Sequence, residues 1–200
     1  VPASDAHGSS EAGTVTRLFQ RATADERRRV IAILDPQNPA LRRARRIAFI
    51  GLRGAGKSTL ARMAADTLGL PFMELNEEIE AASGMPVTEV MALYGQEGYR
   101  RLERQALERV IATCEDIALA AAGGIVAEPE TFDILLRNFH TVWLKAAPEE
   151  HMARVRAQGD TRPMAGNPAA MEELKSILTS REALYARAGL HIETSGRRGH

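Results

Sequence analysis

Gly51-Leu52-Arg53-Gly54-Ala55-Gly56-Lys57-Ser58-Thr59 fits G-x-x-x-x-G-K-[ST] at every fixed position. Residue types at this spacing can hold a phosphate chain. Three glycines let successive backbone N–H groups curl toward one anion. Lys57 supplies a mobile point charge for outer phosphates, and the Ser58 hydroxyl is placed to ligate Mg²⁺. Arg53, Gly54, Ala55, Gly56, Lys57, Ser58 and Thr59 are therefore the candidate phosphate-binding residues. The chain holds three lysines (Lys57, Lys145, Lys175) against 23 arginines, so a lysine at the motif position is not what composition alone would supply.

Further candidates collect around the loop. Glu74 and Asn76 close the second apolar run, and Gly123-Gly124 follow the third, where missing side chains admit a ligand. Arg100 opens a long helical stretch, and Arg181 lies on a late one. Arg162 sits in a Gly/Pro-rich segment, 158–170, that reads as a lid over a phosphate site. Guanidinium groups bind carboxylate and phosphate bidentately, so two or three of these arginines are expected to face an anionic ligand.

The elements that position these residues alternate. Residues 47–50, Ile-Ala-Phe-Ile, read as a buried strand before the loop, and 60–65 read as a helix after it. Strands are predicted at 47–51, 71–75, 116–121, 141–144 and 190–194. Helices are predicted near 57–68, 76–83, 86–94, 97–113, 129–138, 149–157 and 169–187. Short apolar strands separated by helices imply a parallel sheet covered on both faces, with ligands at the C-terminal strand ends. The expected fold is α/β: a five-stranded parallel sheet in three α/β/α layers, preceded by a short helical linker.

Residues 1–46 are read as that linker and 47–200 as the ligand-binding domain. Val15, Leu18, Phe19 and Ala22 have helical spacing. Thr23 and Glu26 make a capping box for a second helix carrying Val30, Ile33 and Leu34, stopped by Asp35-Pro36 and Asn38-Pro39. The 200 residues suffice for one core-bearing domain and a small appendage, and zero net charge argues against a general polyanion binder. Charge is uneven: residues 1–46 hold nine arginines and five acids, +4, leaving −4 for the rest. The run Arg42-Arg43-Ala44-Arg45-Arg46 reads as a solvated linker face, with direct DNA contact as the other reading. A single cysteine, Cys114, excludes an internal disulfide and fits a reducing compartment. No apolar run approaches the roughly 18 residues of a membrane span. A cytoplasmic protein is expected, and the start at Val1 reads as that of a fragment.

Residues 47–195 resemble the shikimate kinases. The matching pieces are the phosphate loop, Ser83-Gly84-Met85, Gly98-Tyr99-Arg100-Arg101-Leu102-Glu103, Gly123-Gly124, Thr161-Arg162-Pro163 and Arg181-Glu182-Ala183-Leu184-Tyr185. The resemblance implies that Lys57 binds outer phosphates, Ser58 ligates Mg²⁺, Arg100 and Arg181 grip a substrate carboxylate, and Arg162 is the lid arginine. The chain departs from the family where an Asp-x-Asp pattern supports Mg²⁺ and the attacking hydroxyl, because it carries Glu74-Leu75-Asn76. An amide has no useful basicity. Ala122 stands where the kinases have a further glycine, and after Ser195 nothing matches their adenine-cradling loop and final helix.

The chain is also similar to the C-terminal effector domain of benzoyl-CoA-responsive regulators of the BzdR/BoxR type. The segments 50–59, 122–129, 141–144, 148–152 and, above all, 158–167 carry that likeness. It implies a transcriptional repressor of aromatic (benzoate) catabolism that binds benzoyl-CoA through the phosphate loop, with an effector pocket at Glu74 and Asn76. Such a protein would have no phosphoryl transfer, a DNA-binding helix-turn-helix domain upstream and a homodimeric assembly. The alternative expectation is an active shikimate-kinase-like enzyme using ATP and Mg²⁺.

Overall fold

In the computed structural model the described residues are Thr23, Arg43, 45–157 and 170–195. The expected helices within 15–34 and the lid segment with Arg162 lie outside them. Among the described residues no helix is long and apolar enough to cross a membrane.

The strands are β1 (Arg45–Ile50), β2 (Phe72–Glu74), β3 (Asp116–Ala120), β4 (His140–Lys145) and β5 (Leu190–Glu193). They form one sheet in the order β2-β3-β1-β4-β5, and every pairing is parallel. The helices are α1 (Lys57–Leu68), α2 (Leu75–Ser83), α3 (Val87–Thr113), α4 (Pro129–Asn138), α5 (Pro148–Ala157) and α6 (Ala170–Tyr185).

Alternation along β1 builds the layers. Ala48 and Ile50 point to one face, where they join Ile117, Leu119 and Trp143 in a core closed by α2, α3, α4 and α6. Phe49 points to the other face and meets Ala61 of α1, Val142 and Leu144. Both faces of a strand with successive apolar residues are thus buried, as a parallel sheet requires. Burying side chains such as Ile50, Ile117 and Leu119 completely is worth about 1.5–3 kcal/mol each.

Three boundaries differ from expectation. β1 begins at Arg45, so the end of the basic run is strand. Arg46 is buried, and its guanidinium donates to Cys114 O (2.5 Å) and Ile111 O (3.0 Å) at the end of α3. Arg45 donates to Leu68 O at the end of α1 (2.9 Å) and pairs with Asp116. Both arginines are helix C-terminal partners; for buried Arg46 this corrects the reading as a solvated linker face, while the Arg45 side chain stays half exposed. Second, Leu75 is fully buried and opens α2, so Asn76 belongs to the first helical turn and not to the strand. Third, the helices expected at 86–94 and 97–113 are there but almost abut, kinked at the non-helical Gly95 (φ 66°, ψ −173°).

Candidate active site

The loop between β1 and α1 has the backbone that its glycines foretell. Gly54 and Gly56 adopt φ 79° and 92°. A Cβ on Gly51 would come within 2.7 Å of Leu144 O on the neighbouring strand. Gly56 caps α1 in the left-handed region, and the first turn of α1 carries no acidic residue. Its N–H groups and positive dipole end therefore remain available to a ligand anion.

Lys57 folds back over the loop. Its Nζ donates to Gly51 O (3.0 Å) and Leu52 O (2.9 Å). Burial pushes its pKa down to about 8, with Glu74 opposing the shift and Arg53 adding to it. At neutral pH it still carries its proton.

A cavity of about 410 Å³ opens over the loop. It brings together Arg53, Gly54, Gly56, Lys57, Ser58 and Thr59 with Glu74, Asn76, Ala122 and Gly123. Residues 70 positions apart in sequence, Arg53 and Gly123, meet here because β1, β2 and β3 end side by side. Gly123 lies against the loop, since a Cβ on it would sit 3.2 Å from Arg53 N. Ala55 belongs to the core below the loop, and Gly124 does not line the cavity.

A hydrogen-bond chain supports the Asn76 end. Tyr99 Oη donates to Asn76 Oδ1 (2.9 Å) and lies 3.4 Å from Glu103 Oε1. Glu103 is 1 % exposed. Burial raises its carboxyl to about 7, while the Tyr99 bond and the Arg100 charge act in the other direction. Burial, then the Glu103 carboxylate, pushes the Tyr99 phenol well above its ordinary value.

Arg100 and Arg181 do not line this cavity. Arg100 follows Tyr99 on α3 and forms an ion pair with Glu128 at the start of α4. Arg181 lies near enough to Tyr185 for its charge to act on the phenol, whose Oη donates to Gly123 O at 3.0 Å. A second cavity, about 510 Å³, shares Leu52 of the loop and is walled by Trp143, His151, Tyr185 and Ser195. Trp143 and Tyr185 stack there with centroids 5.5 Å apart. His151, buried on α5, places Nδ1 3.2 Å from Arg53 O.

The model of the shikimate kinase family matches residues 53–199, most of the chain and the whole site. The chain belongs to the shikimate kinase family. Shikimate kinase of Zymomonas mobilis is 36% identical over 158 residues, covering 79% of this chain and 89% of that protein. The enzyme of Symbiobacterium thermophilum is 34% identical, covering 71% and 82%. Among solved structures, shikimate kinase from Acinetobacter baumannii in complex with shikimate superposes with TM-score 0.69 at 27% identity, over 80% of this chain and 88% of that one. Shikimate kinase from Bacteroides thetaiotaomicron gives 0.67 at 29% identity, over 74% and 85%.

This kinship confirms the α/β fold expected for the shikimate kinase family and overturns the regulator. Transcriptional regulation, benzoate catabolism and benzoyl-CoA as effector have no support among these relatives, which are metabolic kinases over about four fifths of their length or more. The segment that carried the regulator likeness most strongly, 158–167, lies outside the described residues. The site is accordingly one of a shikimate kinase relative, a family that works with ATP and Mg²⁺. Tyr99 and Glu103, which back Asn76, and His151, on the carbonyl of Arg53, are the residues beside the site that motif reading missed. Tyr99 and Glu103 stood inside the matched segment 98–103, four and eight residues past the Gly95 break.

Proposed function

We propose that the protein is a phosphotransferase that uses ATP and Mg²⁺ to phosphorylate a hydroxyl of a small hydroxylated molecule of the shikimate class. The observation that carries this reading is one cavity joining the anion cradle of residues 53–59 to a carboxylate and an amide, Glu74 and Asn76.

The cradle suits a nucleotide's phosphates. The left-handed glycines turn backbone N–H groups to one point, and α1 starts without a competing acid. Ser58 and Glu74 would hold Mg²⁺, which would neutralise phosphate charge. Lys57 leaves the carbonyls of Gly51 and Leu52 to meet the outer phosphates. Asn76 orients the acceptor hydroxyl, whose proton passes to a transferred phosphoryl oxygen or to water as the new O–P bond forms and ADP leaves. Phosphoryl transfer runs through a loose transition state in which positioning and charge stabilisation outweigh base strength, so the amide slows such a reaction without forbidding it.

Coupled ADP release with ATP–Mg²⁺ and shikimate tests the reading, alongside calorimetry of nucleotide binding. Lys57→Ala is expected to weaken ATP binding by roughly ten- to a hundredfold, the weight of a charge-assisted hydrogen bond. Absence of shikimate-dependent ADP release from a wild-type protein that binds ATP would refute the acceptor class. Equal ATP affinity in wild type and Lys57→Ala would refute the phosphate role of the loop.

A further inference from the structure

Tyr99 of α3 and Asn76 in the first turn of α2 are joined by one side-chain hydrogen bond. An amide has two ends of opposite character, since Oδ1 accepts and Nδ2 donates. Which end faces the cavity decides what the cavity offers a ligand. The Tyr99 phenol has one proton to give. Asn76 Oδ1 stands 2.9 Å from its oxygen, and Glu103 Oε1 stands 3.4 Å away.

The reversed amide would set Nδ2 on the phenol oxygen and send the phenol proton to Glu103. That bond is too long for O–H···O, whose range ends at about 3.0 Å. It would be strong only with an ionised Glu103, and burial disfavours that charge on a residue 1 % exposed. Burial also keeps the phenol protonated, so the donor is always present. Oδ1 is therefore committed to the protein. Nδ2 has no partner among the described residues, and Asn76 lines the cavity. The edge that it offers there is N–H.

Resting on the kinase reading above, we propose that Tyr99 is a positioning residue, whose hydroxyl holds the Asn76 amide with its N–H edge toward the acceptor. The site thus offers a donor where a carboxylate would offer only acceptors. It takes the acceptor molecule by a lone pair of its oxygen and leaves that oxygen's own O–H free to turn toward the phosphoryl group. An amide released from Tyr99 can rotate, and its other edge draws the O–H away from that group.

Steady-state ADP release with ATP–Mg²⁺ and shikimate tests this on wild type, Tyr99→Phe, Asn76→Asp and the double variant, with ADP calorimetry as the check on folding. Phenylalanine keeps the ring and removes only the hydroxyl. Tyr99→Phe is expected to lower kcat about five- to tenfold, the weight of one neutral hydrogen bond, with KM for ATP unchanged. In the Asn76→Asp background the same change is expected to alter kcat by less than about twofold, because the two oxygens of a carboxylate are alike and need no orienting. An equal loss in both backgrounds would overturn the proposal alone. So would a lowered Tm with unchanged kcat in Tyr99→Phe, which would make the hydroxyl purely structural. Normal ADP binding in all four proteins, with shikimate-dependent ADP release from none, would overturn the acceptor reading and this proposal with it.

Discussion

Asn76 faces the cavity with an amide held by Tyr99, and this bond decides what a substitution there can do. Asn76→Asp places a carboxylate beside the acceptor end, where it can accept a proton. We expect turnover with ATP–Mg²⁺ and shikimate to rise at least about tenfold, a conservative share of what a positioned base contributes. Steady-state ADP release measures it. A fall in turnover would show that the new charge, close to Glu103, costs more than the base supplies. Single residues were legible in the sequence where a short motif carried them, as at 51–59. The pairing of Glu128 was not legible, because its partner Arg100 lies on a helix 28 residues upstream, and no local spacing records that contact. Tyr99 lay in view but without a role, since its partner Asn76 comes from another element.

Helix ends explain the two arginines at the start of β1. The last carbonyls of a helix lack partners within it, and a guanidinium satisfies them while answering the negative end of the dipole. Arg46 does this from a buried position on Ile111 and Cys114, and Arg45 does so on Leu68. Arg46→Ala leaves those buried carbonyls short of a donor and is expected to cost about 2 kcal/mol, a fall of several degrees in Tm by scanning calorimetry. Arg46→Lys should recover only part, because a single ammonium replaces a fork. An undiminished Tm in Arg46→Ala would refute the capping role. Elements in the interior were legible from their apolar periods, and helices α1 and α4 match expectation to the residue. The misread residue was Arg46, where charge suggested solvent. Long arginine side chains can lie along apolar surface and still end on a carbonyl, so charge alone does not report exposure.

Across the molecule, Glu103 makes stability depend on pH. Its carboxyl rises from the usual 4.5 to about 7 in the folded protein, mainly through burial. The folded state therefore holds this proton more tightly than the unfolded chain. Its contribution is fully present below pH 4.5 and is lost as pH rises through about 7, up to about 3 kcal/mol. Glu103→Gln should flatten this part of the profile, so that the variant gains on wild type as pH increases from 5 to 8 in urea unfolding. Parallel slopes for the two proteins would remove Glu103 as the cause. At this scale the sequence showed that the sheet would be parallel, since its strands read as apolar runs between helices. It did not show the order β2-β3-β1-β4-β5, which follows from long-range packing of each helix on a face.

That order bears on how the chain comes off the ribosome. β1 is the central strand, yet its partners are β3, beginning at Asp116, and β4, beginning at His140. The phosphate loop directly after β1 is synthesised before any of its walls, and the last of them, Leu144 beside Gly51, comes some 90 residues later. A nascent chain halted before β3 carries β1 with both edges bare, so the site is assembled late in translation, and release of a shortened chain exposes an apolar strand ready to pair with another copy.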